Sequence, residues 1–189
     1  MTLVAGVILV QLVSRSQPET GAAGETKIKM KNEVNSNSTR IGNLSANVPD
    51  TWTGIRPSSS MRLMEFRLGV AADDATLAIF KNIGGTIDNN LERWSGQFGY
   101  SLSDSEVNIR AENINGMQVS IISILGTYTN TMAFSDATQP KPNYRLLGAI
   151  ADTPDGLYYF KLTGPNTVIT GRLEEFTLFI QSLRYDKIG

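Results

Sequence analysis

Four cations sit inside otherwise apolar stretches, and their chemistry is recognition of negative charge. Arg62 falls in MRLMEFRL, Arg93 in ERWSGQF, Arg145 in YRLLGAI and Lys161 in YFKLTGP, with Tyr144 and Tyr159 beside the last two. If they converge, they make a site for a small anionic ligand or an acidic protein partner, because guanidinium forks and ammonium groups form charge-assisted hydrogen bonds to carboxylate and phosphate. If they disperse, they are sheet-edge cations whose stems cover apolar surface while their heads reach water. On the sequence alone the dispersed arrangement is favoured.

The other polar clusters read as architecture. Gly84-Gly85 precedes a helical pattern and could cradle phosphate on backbone N–H groups, but the chain has neither GxGxxG nor GxxxxGK[ST], and Lys81 precedes the glycines. A structural turn is the expectation there. Asp152 with Asp155, and the pair Asp73-Asp74, could face a hard cation, yet the spacing lacks the loop and distal glutamate of a calcium site. Turn chemistry accounts for both. Glu174 and Glu175 are adjacent on a predicted helix and so point apart, as on a solvated surface. No metal site and no cofactor are expected.

Composition removes whole classes of function. The chain has no cysteine and no histidine, so Ser-His-Asp, Cys-His and HExxH chemistries are excluded, as are disulfides and thiolate metal sites. Any catalysis would have to use carboxylates, Lys, Tyr, Ser or Thr. Lys and Arg total 17 against 18 for Asp and Glu, a balance that gives no global reason to bind nucleic acid.

The elements that would position these residues follow from apolar periodicity. Alternation predicts strands over residues 44–48, 61–68 and 77–81, with an irregular crossing anchored by Trp52 between the first two. On the second strand Met64, Phe66 and Leu68 share a face with Arg62, opposite Leu63, Glu65 and Arg67. Ile87, Leu91, Trp94 and Phe98 form one helical stripe, capped by Thr86 and closed at Gly99. Two hairpins follow: residues 107–114 with 117–127, turned by Asn115-Gly116, and residues 144–151 with 157–163, turned by Thr153-Pro154-Asp155-Gly156. A single last helix carries Ile169, Leu173, Phe176, Ile180 and Leu183. Three strands, a helix, four strands and a helix make an α+β fold: one domain with an antiparallel sheet flanked by helices, an α/β/α sandwich.

Ahead of that domain, residues 2–13 are uncharged and apolar, about as long as the core of a signal peptide. Residues 1–23 therefore read as a signal-like or anchor segment, residues 24–40 as a flexible linker, and residues 41–189 as the folded domain. Export to the periplasm or cell envelope is expected, with N-terminal membrane association as the alternative.

Several strings carry a family resemblance. Pro49-Asp50-Thr51-Trp52 after a strand, IFKNIGG, RWSGQF, PSSSMR, the paired YRLLGAI and YFKLTGP, and a terminal EEFTLFIQSL resemble the PsbP/Mog1-type α/β/α sandwich over about residues 41–183. The local strings are similar to those of uncharacterised secreted bacterial proteins of that type. The resemblance implies a non-catalytic binding or accessory role, since one named family of this fold assists the photosynthetic oxygen-evolving complex and another binds a small GTPase. It assigns no functional residue here. The expectation is an exported, non-enzymatic binding or accessory domain, with a His-free hydrolase or lyase and a structural envelope protein as alternatives.

Overall fold

A computed structural model describes residues 38–69, 75–129 and 139–186, and alternating side chains sort these described residues into ten strands and three helices. The readings made for residues 1–23, for residues 24–37 of the linker and for Asp73-Asp74 lie outside the described residues. In chain order the elements are β1 (Ser38–Ile41), β2 (Leu44–Asn47), β3 (Trp52–Ile55), β4 (Arg62–Leu68), β5 (Ala75–Lys81), α1 (Ile87–Gly96), β6 (Val107–Ile114), β7 (Met117–Tyr128), β8 (Lys141–Thr153), β9 (Gly156–Pro165), α2 (Asn166–Thr170), α3 (Leu173–Gln181) and β10 (Arg184–Tyr185). A seven-stranded antiparallel sheet runs β3-β4-β5-β9-β8-β7-β6, and a small sheet runs β1-β2-β10.

The sheet is covered differently on its two faces. Leu77, Ile79, Val119, Ile121, Leu147, Ala149, Phe160 and Leu162 pack with Phe176, Phe179 and Ile180 of α3 and with Ile41 and Leu44 of the small sheet. On the other face Ile122, Ile124, Leu146, Ile150 and Tyr159 pack against Leu91, Trp94 and Phe98 of α1 and the turn after it. The result is the α+β arrangement expected, one antiparallel sheet between helical layers.

Local chemistry fixes the helices. Thr86 caps α1: its hydroxyl accepts from the N–H of Asn89 at 3.1 Å, and the Asn89 carboxamide accepts from the N–H of Thr86 at 3.2 Å. The helix stops at Gly96, three residues before Gly99, with Gln97 as its C-cap, so Phe98 packs from a turn. Asn115-Gly116 makes the expected tight hairpin, with φ of 50° and 87°.

Four expectations need correction. β1, β3 and β10 were not legible: with two to four residues each they lack the three apolar positions in alternation, Leu44, Ala46 and Val48, that marked the equally short β2. β1 takes Ser38, Thr39 and Arg40 from the stretch read as linker, and β3 replaces the irregular crossing at Trp52. The last helix is two helices, broken at Gly171 and Arg172. That break resets the helical frame, so Leu173 is exposed while Ile169, Phe176, Phe179, Ile180 and Leu183 are buried. The placement of Arg62 also differs, as described with the site.

One carboxylate ties three segments together at an end of the sheet. Asp155 accepts from Asn43 Nδ2 at 2.6 Å, Lys81 Nζ at 2.7 Å and Thr153 Oγ1 at 2.7 Å, joining the β1–β2 turn, the end of β5 and the β8–β9 turn. Tyr158 OH accepts from the N–H of Asn43 at 3.0 Å and closes the knot. Partial burial alone would raise the Asp155 pKa, but Lys81 and Thr153 hold the carboxyl below its ordinary value of 3.8.

Two predictions follow from this packing. Trp94 is buried against Gly148, where an added Cβ would meet the indole at 2.4 Å. Trp94→Ala should therefore cost about 3–5 kcal/mol and Gly148→Ala about 1–3 kcal/mol in urea unfolding; a negligible loss for Trp94→Ala would place the ring outside the core. For Asp155, a folded pKa depressed below the unfolded one contributes stability that is present above the unfolded value and lost as pH falls through the folded value. Asp155→Asn should accordingly melt below the wild type at neutral pH, and the gap should close below about pH 4. A gap independent of pH would show that the carboxylate charge is not what holds the knot.

Candidate functional site

A helix is about 10 Å across and strands lie about 4.8 Å apart, so one helix covers about two strands. On its face of the seven-stranded sheet, α1 sits over β7, β8 and β9, where Gly148 admits the Trp94 ring. Beside it, over β4, β5 and β9 and the outer ends of β7 and β8, a cleft of about 330 Å³ opens. Arg62, Glu65, Thr76, Ala78, Phe80, Tyr128, Lys141, Tyr144, Lys161 and Thr163 line it.

Two β-bulges decide which side chains face this cleft. In β4 the register slips between Arg62 and Met64: Met64 pairs with Ile79 but Arg62 pairs with Phe80, leaving Leu63 as the extra residue. Unbroken alternation would put Arg62 with Met64, Phe66 and Leu68 on the α3 side, as read from the sequence. The bulge turns it onto the side of Glu65 and Phe80, which corrects that reading. In β8 the partners step from Gly126↔Tyr144 to Tyr128↔Lys141, adding one residue next to Asn143, whose φ is +54°. That extra residue brings Lys141 onto the face of Tyr128.

The cleft is cationic. Glu65 is buried at 5% exposure and accepts from the N–H of Ser58 at 2.7 Å and from Arg62 at 2.5 Å. Burial alone would raise its pKa, but the Ser58 N–H and Arg62 hold it below the ordinary value. Lys161 Nζ donates to Gln97 Oε1 at 2.5 Å and lies 5.6 Å from the Tyr128 ring centre. Burial, with Arg93 and Arg62 nearby, pushes the Lys161 pKa down to about 7. Lys141 sits 5.3 Å from the Tyr144 ring, and Tyr128 and Tyr144 stack at 6.0 Å with 13° between planes. Burial raises the Tyr128 pKa, so its phenol is a hydrogen-bond donor in this setting. An arrangement of two lysines, a paired arginine and the Tyr128 phenol can hold an anion and hydrogen-bond its oxygens.

The six residues singled out in the sequence divide accordingly. Arg62, Tyr144 and Lys161 meet in the cleft. Arg93 does not line it, but shares with Lys161 an adjoining hollow of about 180 Å³ and donates to Asn90 Oδ1. Arg145 belongs to the opposite face, where it donates to Asn166 Oδ1 at 2.8 Å and to Ser123 Oγ at 3.2 Å. Tyr159 is 1% exposed and meets Trp94 edge-on, which makes it core.

Gly84 and Gly85 have φ of 85° and 76°, and the Asn90 side chain donates to the carbonyls of Gly84 and Thr86. They form a turn, as expected. Glu175 is more than solvated surface: it accepts from Trp52 Nε1 at 2.8 Å and Thr51 Oγ1 at 2.9 Å, fastening α3 to β3. Among the described residues no three acidic side chains gather as a metal site, and no helix is long and apolar enough to cross a membrane. Glu65, Tyr128, Lys141 and Gln97 were missed. Of these, Lys141 owes its place to the bulge in β8, which alternation conceals.

Against known proteins, no family model and no curated protein matches the chain. Among solved structures it is similar to the cyanobacterial PsbP (CyanoP) of Synechocystis sp. PCC 6803, at 13% identity and a TM-score of 0.49, over 88% of this chain and 98% of that one. It is also similar to the protein of unknown function PA94 of Pseudomonas aeruginosa, at 12% identity and a TM-score of 0.45, over 80% and 97%. The candidate site stands on its own geometry.

Proposed function

We propose that this chain is an exported, non-enzymatic binding or accessory domain whose open sheet face captures a small anion or the acidic group of a partner protein. The convergence of Arg62, Lys141 and Lys161 on one cleft, against Glu65 as the acidic side chain lining it, carries the reading. A cleft of about 330 Å³ matches the lower end of ordinary small-molecule pockets. The Tyr128–Tyr144 stack gives it a rigid wall at low entropy cost. Export rests on the apolar run at residues 2–13.

Sulfate and succinate are suitable probes. Both should raise the melting temperature, because a ligand that binds only the folded state stabilises it. Lys141 is exposed and has no carboxylate partner among the described residues, so Lys141→Met should fold normally. It should weaken sulfate binding by about tenfold, the loss of one charge-assisted contact. Arg145→Met, on the other face, should leave binding unchanged. Equal effects of the two substitutions, or no response to either probe, would sink the reading. For the export part, fractionation of cells expressing the 189-residue chain should recover it outside the cytoplasm, and exclusive cytoplasmic recovery would reject it.

A further inference from the structure

We propose that the cleft takes up its anion together with one proton, received by Lys161 Nζ, so that capture is tight at neutral to mildly acid pH and weakens as the pH rises. The inference rests on the anion-binding reading above and adds how that same site is regulated.

The surroundings of Lys161 set up the coupling. Arg62 and Glu65 approach from β4, Arg93 from α1, Tyr128 from β7, Tyr144 and Lys141 from β8, and Tyr159 flanks it on β9. Glu65, the acid lining the cleft, is already engaged by Arg62 and Ser58. Among the described residues Lys161 has no ion-pair partner, and its hydrogen bond goes to the neutral carboxamide of Gln97. An ammonium here is held among cations, with no negative charge of its own to offset them. An anion seated in the cleft supplies that charge.

Of the groups around the cleft whose titration is displaced, Lys161 is the one brought near neutrality. Burial pushes the Tyr128 and Tyr159 phenols up and keeps them protonated. Ser58 and Arg62 hold Glu65 down and keep it ionised. Lys161 in the empty cleft loses its proton around pH 7, and an adjacent anion raises that value. By linkage, a group that binds protons more tightly in the complex makes complex formation consume protons. Below about pH 6 Lys161 is already charged, so uptake vanishes and affinity is level. Above about pH 7 each unit of pH reduces affinity, by about fivefold from 7 to 8 and about tenfold per unit beyond, until the bound-state value is reached.

Titration calorimetry of the full 189-residue chain with sulfate tests this, because sulfate keeps its charge across the range. Runs in buffers of different ionisation enthalpy report the protons taken up. Uptake should approach one at about pH 8 and fall toward zero at about pH 6, with affinity declining as stated. Lys161→Arg, which keeps a cation that does not titrate, should bind sulfate with a flat pH profile. Sulfate binding without proton uptake at about pH 8, or an unchanged pH slope in Lys161→Arg, overturns the coupling while leaving the anion site intact. No sulfate binding at about pH 6 overturns the anion reading itself, and this inference with it. The wild-type calorimetry decides the matter even if the variant fails to fold.

Discussion

A seven-stranded sheet is wider than one helix can cover, and the arrangement on the α1 face follows from that mismatch. α1 is held where Gly148 lets the Trp94 ring approach the sheet, which fixes it over β7 to β9. The strands beyond cannot be buried by it, so their outward residues must tolerate water. Thr76 on β5 does so, as do Thr163 and Lys161 at the part of β9 that opens on the cleft. On the opposite face α3 and the small sheet pack on Phe66, Leu68, Leu77, Ile79, Phe160 and Leu162 of β4, β5 and β9, which are apolar. The cleft is thus the uncovered remainder of a face, bounded by a helix that cannot shift without losing its seat.

Charge within that remainder is uneven by construction. Glu65 is enclosed and fully occupied by Ser58 and Arg62, so it anchors the start of β4 and leaves little field for a visiting cation. Lys161 is the opposite case, a cation approached by others and relieved only by a neutral amide. A folded protein seldom keeps such a group without a compensating gain, because its depressed pKa is a cost in stability across the interval up to the value of a free lysine. Structural uses of charge here look different. Asp155 and Glu175 each gather several donors, join segments distant in sequence and have carboxyls held below their ordinary values.

Much of the fold was legible because long strands and a capped helix state their period many times. β6, β7, β8 and β9 carry eight to thirteen residues each, and Thr86 with Ile87, Leu91 and Trp94 marks α1 without ambiguity. Short strands and the break at Gly171 were hidden, since two or three alternations, or one glycine in an amphipathic run, are compatible with several structures. For the site, Arg62, Tyr144 and Lys161 were recognised as charged or aromatic residues in ordered segments, but their convergence was not. Arg145 looked equivalent to them; strict alternation from Leu147 and Ala149 places it on the α3 side. Tyr159 was lost to the core for a related reason, lying under Trp94 where α1 covers the sheet.

Arg62 and Lys141 each reach the cleft by virtue of a single additional residue in their strand. Each bulge takes one residue, Leu63 or one next to Asn143, out of the ladder; pairing that residue in regular register would send the neighbouring cation to the other side of the sheet, with the chain's charge unchanged. The polarity of this face is therefore set by where the ladder skips a residue, which the order of residue types does not state. One strand sequence paired with the bulge or without it would keep the same fold and present its cation on opposite faces of the sheet.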